Sequence, residues 1–101
     1  MILQPTPTVF HCVTTALNSK VMVIGGSSNG SDALQQTYYL HPLTGEKTLG
    51  PDLNIARGWH GCATIATSSI TVVAGGWDGN DFLASVEILV RQGKWTIGMS
   101  Q

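Results

Sequence analysis

Charge is the scarcest commodity in this sequence. Only 11% of its residues are Asp, Glu, Lys or Arg, well under the roughly 25% usual for a soluble domain. Five cations against six acids leave a formal net charge of −1. No basic stripe exists to neutralise phosphates, which removes the electrostatic case for nucleic acid. Polybasic attachment to a membrane surface fails for the same reason. The longest apolar run is about half of the ~20 residues that a spanning helix needs. Met1-Ile2-Leu3-Gln4-Pro5-Thr6-Pro7 has neither a basic n-region nor an apolar h-region, so no signal peptide is visible. Two cysteines make no disulfide framework, and an intracellular, cytoplasmic chain is the default expectation. Asn29-Gly30-Ser31 is a glycosylation sequon, relevant only to a secreted protein.

A sustained helical period is also missing. What the chain has instead is a repeat. Shifted by fifty residues without a gap, Leu3–Gly26 matches Leu53–Gly76 at eight of twenty-four positions, among them Cys12/Cys62, Thr14/Thr64, Val23/Val73, Gly25/Gly75 and Gly26/Gly76. Within each copy, short runs rich in β-branched residues alternate with turn chemistry. Val9–Leu17, Val21–Ile24, Thr37–His41 and Lys47–Leu49 read as the strands of the first copy. Gly61–Thr67, Ile70–Ala74, Ala84–Val90 and Lys94–Ile97 read as those of the second. Asn18-Ser19, Ser28–Ser31, Pro42–Gly45, Ser68-Ser69, Trp77–Asn80 and Arg91–Gly93 supply the turns. Four short antiparallel strands per fifty residues describe a propeller blade. The expected fold is all-β, with one blade over 1–52 and a second over 53–101.

These residues resemble the kelch repeat. The resemblance rests on apolar strands ending in Gly25-Gly26 and Gly75-Gly76, Tyr38 or Tyr39 in the next strand of the first copy, and Trp95 in the last strand of the second. Asp52–His60, with Arg57 and then His60, looks like the inter-blade link of that family. Thr48 stands where the first copy should have Trp, Val86 or Ile88 where the second should have Tyr, and Pro7 where the earlier link should have Arg. The resemblance implies a non-catalytic protein-interaction module. Two blades form an incomplete propeller with two apolar outer faces, so closing a ring requires further blades or self-association. The implied partner is a protein or peptide. It would dock on Arg57 and Trp59 of the link, Ser27 and Asn29 after the first Gly-Gly, and Trp77, Asp78 and Asn80 after the second. In a longer protein this could be the substrate-recognition part of a ubiquitin-ligase adaptor. The alternative is part of a galactose-oxidase-like catalytic propeller.

No catalytic set is expected. His11-Cys12 and His60-Gly61-Cys62 invite a metal reading. Neighbouring strand residues point to opposite faces, however, and zinc needs four convergent ligands. Cys12 and Cys62 are expected as small core residues at equivalent repeat positions. Asp52, Asp78 and Asp81 have no paired base, and Asp78–Asp81 lacks calcium-loop spacing. Neither GxGxxG nor a P-loop is present, so no metal and no cofactor is expected.

Overall fold

The computed structural model describes residues 8–16, 20–65, 67–91 and 93–98. The Asn18-Ser19 turn, Leu3, Pro7, Ala66 and Gln92 lie outside them. Eight strands form two four-stranded antiparallel sheets, each a meander in sequence order. The first sheet comprises β1 (Cys12–Thr15), β2 (Val21–Ile24), β3 (Thr37–Leu40) and β4 (Lys47–Leu49). The second comprises β5 (Gly61–Ile65), β6 (Ile70–Ala74), β7 (Val86–Val90) and β8 (Trp95–Ile97). These are two propeller blades, and the strands fall where β-branched residues cluster. The structure trims the first strand of each copy to four or five residues.

The two sheets share a core of Met22, Ile24 and Tyr39 from the first blade with Val73, Leu89 and Trp95 from the second. Leu53 of the link is 1% exposed between them. The Trp95 indole donates from Nε1 to the Pro51 carbonyl at 3.0 Å, so its polar edge is satisfied while the ring is buried. The faces turned away from this core are bare. Val13 and Leu49 on one blade and Ile65 and Val90 on the other are each about half exposed.

Register explains the largest departure from the sequence reading. Val23 pairs with Val13 in the first blade, whereas Val73 pairs with Cys62 in the second. Relative to the paired glycines, β1 is therefore offset by one residue from β5. The extra residue lies in the β1–β2 hairpin, where Thr15 pairs with Val21, against Ile65 with Ile70 in the second. A one-residue slip turns every side chain to the other face. Cys12 and Cys62 are thus not at equivalent positions. They project from facing sides of the two blades and form a disulfide across the interface, with Cα atoms 6.0 Å apart. Thr14 Oγ1 likewise donates to Thr64 Oγ1 at 2.9 Å. The expectation of two separate core thiols is corrected accordingly. Cross-strand pairs are the reliable guide to equivalence. They match Phe10-His11 to Trp59-His60, and Tyr38 to Glu87 through their partners Val23 and Val73. The Val9–Ser27 bridge matches Gly58–Trp77, so Thr8, not Pro7, holds the place of Arg57.

Candidate functional site: the loop end of the blades

Strand direction gathers three segments at one end of both blades: the loop after Gly25-Gly26, the link 50–60, and the loop after Gly75-Gly76. All four of these glycines have positive φ, a backbone that side chains resist. At Gly76 (φ +99) an added Cβ would lie 2.5 Å from the Gly58 carbonyl oxygen and 2.8 Å from His60 Cβ. The pair lets the link press against the end of the sheet. Burial between these glycine pairs pushes the His60 imidazole down to about 4, and the nearby Arg57 charge acts in the same direction. His60 is therefore neutral at pH 7 and packs in the link.

Arg57 is wholly buried, which corrects its expected place on the docking surface. Its backbone belongs to the first blade: its amide donates to Leu34 O (3.1 Å) and its carbonyl accepts from Gly26 N (2.8 Å). Its guanidinium belongs to the second. Nη1 donates to Gly75 O and Ser85 O, both at 3.0 Å, and Nη2 to Ser85 Oγ (3.0 Å) and Glu87 Oε2 (3.1 Å). Glu87, also 0% exposed, takes the Asn54 amide on Oε1 at 2.7 Å and the Ile55 amide on Oε2 at 3.0 Å. A buried charge pair is held when most of its remaining hydrogen-bonding capacity is filled like this, and here Arg57 Nε is the donor left without a partner. Arg57 is a structural clamp between blades.

Ser27 is corrected in the same way. It is 0% exposed, and its Oγ accepts from the amides of Asn29 (3.3 Å) and Gly30 (2.8 Å). Asn29 is exposed, but Oδ1 accepts from the Ser31 and Asp32 amides and Nδ2 donates to Asp32 at 3.0 Å. It shapes its own loop. Asp78 does the same in the second loop: Oδ1 accepts from Asn80 N (2.8 Å) and Asp81 N (2.7 Å). The amides of Asp81 and Asn80 hold its carboxyl below the usual carboxylate range. Asn80 is exposed at the loop tip.

The two tryptophans do come together. Trp59, Trp77 and Phe82 line a groove of about 650 Å³ with Gly30, Ser31 and Gly79. Trp59 is 46% exposed and stacks on Phe10 with ring centroids 4.3 Å apart. Its φ of +54 is matched by +57 at Phe10, and such conformations in bulky residues are held only by their surroundings. Trp77 is fixed by a reciprocal pair of backbone hydrogen bonds with Gly58, each 2.9 Å, and meets Phe82 edge-on at 5.1 Å. Phe82 is 85% exposed. The sequence reading missed Phe10 and Phe82; an aromatic following the acidic turn Asp78–Asp81 was the available signal for the second. The groove combines segments of both blades, so it exists only while they are docked. Among the described residues no group of His, Cys, Asp and Glu could hold a metal ion.

Residues 58–100 match the sequence model of the Kelch motif, which spans the second sheet and the end of the link. No match was found among curated proteins. Two four-stranded blades, each carrying paired glycines and joined through a link that carries Arg57, agree with that match, which identifies residues 58–100 as a Kelch motif.

Proposed function

We propose that this chain is a binding module without catalysis, and that its partner docks on the loop end of the blades through Trp59, Trp77 and Phe82. One observation carries the reading. Three aromatic side chains from two separate segments surround a single groove, with Trp59 and Phe82 open to solvent and Trp77 partly buried, although apolar surface is costly to expose. Tryptophan at the centre of a pocket is a frequent anchor of protein interfaces. Arg57 and Ser27 support the face from beneath, and Asn29 and Asp78 hold the loops in shape. Use as the substrate-recognition part of a ubiquitin-ligase adaptor would employ this same face. The Cys12–Cys62 disulfide favours instead an oxidising compartment, since such bonds are rare in the cytosol. The bare outer faces would be covered by further blades or by copies of the chain.

A ¹H–¹⁵N spectrum of the chain with a peptide binder drawn from an unbiased library tests the location. Shifts are expected at 27–33, 57–60 and 77–83. Shifts confined to the β1–β2 and β7–β8 hairpins, at the opposite end, would overturn it. Trp59→Ala should weaken such binding while moving Tm by less than about 5 °C, because about half of that side chain is already in water.

A further inference from the structure

The chain's few charges are sorted by end. The loop end carries Asp32, Asp52, Asp78 and Asp81; its one cation, Arg57, is buried and neutralised by Glu87. The hairpin end carries Lys20, Lys47, Arg91 and Lys94 against Glu46 alone. Three of the four aspartates sit in the two loops that form the groove walls. Asp32 and Asp81 are exposed, and backbone amides favour the ionised form of Asp78. No exposed Lys or Arg shares this end with them. His60, the histidine between the glycine pairs, is neutral at pH 7.

An aromatic floor under an anionic rim selects its ligand in two ways. The ring faces of Trp59, Trp77 and Phe82 attract a cation and also pack its aliphatic stem. The rim carboxylates add attraction to positive charge and repel an acidic segment. The volume, about 650 Å³, falls in the range of roughly 300–1,000 Å³ typical of ligand sites and takes more than one side chain. We infer that the groove receives an extended peptide segment in which Lys or Arg adjoins an aliphatic or aromatic residue. The inference rests on the docking face proposed above and adds the sign of the partner.

Random 12-residue peptides displayed on phage and selected on the full chain at low ionic strength are the test. The expected winners place Lys or Arg within two positions of Leu, Ile, Phe or Trp. For the synthesised best sequence, the triple variant D32N/D78N/D81N should weaken binding about tenfold at low salt, and much less at 0.5 M salt, where exposed charges are screened. Asparagine keeps one side-chain carbonyl, enough to accept from Asn29 Nδ2 at position 32 and from the Asn80 and Asp81 amides at position 78, so an unchanged Tm separates lost charge from lost fold. Winners that are acidic or uncharged, an affinity unaltered by the triple variant, or a library without winners overturns the inference. Uncharged winners that lose binding in W77A and W59A sink the charge preference alone and leave the docking face standing. Winners indifferent to both tryptophans sink the two together.

Discussion

Removing Glu87 should cost more stability than any other single polar substitution in this chain. Glu87→Ala leaves the Arg57 guanidinium with no exposure, no counter-charge and only neutral acceptors at Gly75 and Ser85. It also strands the amides of Asn54 and Ile55, which Glu87 alone engages at 2.7 and 3.0 Å. Breaking a buried pair by deleting one partner typically costs about 3–5 kcal/mol. For a domain of this size each kcal/mol shifts Tm by roughly 4–8 °C, so Glu87→Ala should melt at least ~12 °C below the parent. Arg57→Met should cost less, because the two backbone amides still solvate Glu87. The double variant R57M/E87A should be less destabilised than the two single losses combined. A coupling of at least ~2 kcal/mol is expected from urea unfolding, followed through the buried Trp95. Additive losses would mean that Arg57 and Glu87 stabilise the blades independently, and the reading of a single clamp would be refuted.

Three further outcomes follow from the same geometry. Reduction should open the Cys12–Cys62 bridge, whose separation of 50 residues gives about 4 kcal/mol of loop-closure stabilisation by the chain-entropy estimate. Thiol titration of the native protein before reduction should find no free cysteine, and two reactive thiols there would contradict the pairing. Gly76→Ala should lower Tm by more than about 10 °C, since a Cβ at φ +99 meets both Gly58 O and His60 Cβ; a shift under 3 °C would show that the link can move aside. His60 should make the fold acid-sensitive. Its folded value near 4 lies below the ordinary 6.5, so between these the unfolded chain binds the proton and the folded chain does not. Stability is therefore full above about pH 6.5 and is lost as the pH falls towards 4, by on the order of 3 kcal/mol. His60→Phe keeps a ring beside Gly25 but cannot ionise, and unfolding at pH 7 and pH 4.5 should show a smaller loss for it than for the parent.

Strand content was legible because it depends on local chemistry. Val21–Ile24, Lys47–Leu49 and Ile70–Ala74 are bounded by glycines or turns, and each forms the strand its composition suggests. The pairing offset was not legible, because identities can be aligned without a gap while the hairpin absorbs one residue. Cys12 and Thr14 match Cys62 and Thr64 in the sequence yet meet them in space. Burial was illegible for a related reason. Arg57 and Ser27 lie in connecting segments, where exposure is the usual expectation. Only the tertiary fold shows that the link threads between two glycine pairs and must satisfy its polar groups internally. The tryptophans were legible as loop residues. Their union with Phe82 was not, since the groove takes its walls from both blades.

The corrected equivalences also explain how the two blades differ. Thr8 and Tyr38 occupy the first-blade places of Arg57 and Glu87, so both members of the clamp are missing together. By strand pairing, Lys47 opposite Leu40 stands where Trp95 lies opposite Leu89. Its ammonium sits 5.7 Å from the centre of the Tyr38 ring, within cation–π range. In the second blade this face is the inter-blade contact: Trp95 fills it, and the ion pair ties it to the link. In the first blade the same face is open, and Tyr38 and Lys47 shield each other on it. A lone buried Arg or Glu there would be uncompensated, and the first blade has neither. Whatever covers that face must therefore bind without the clamp.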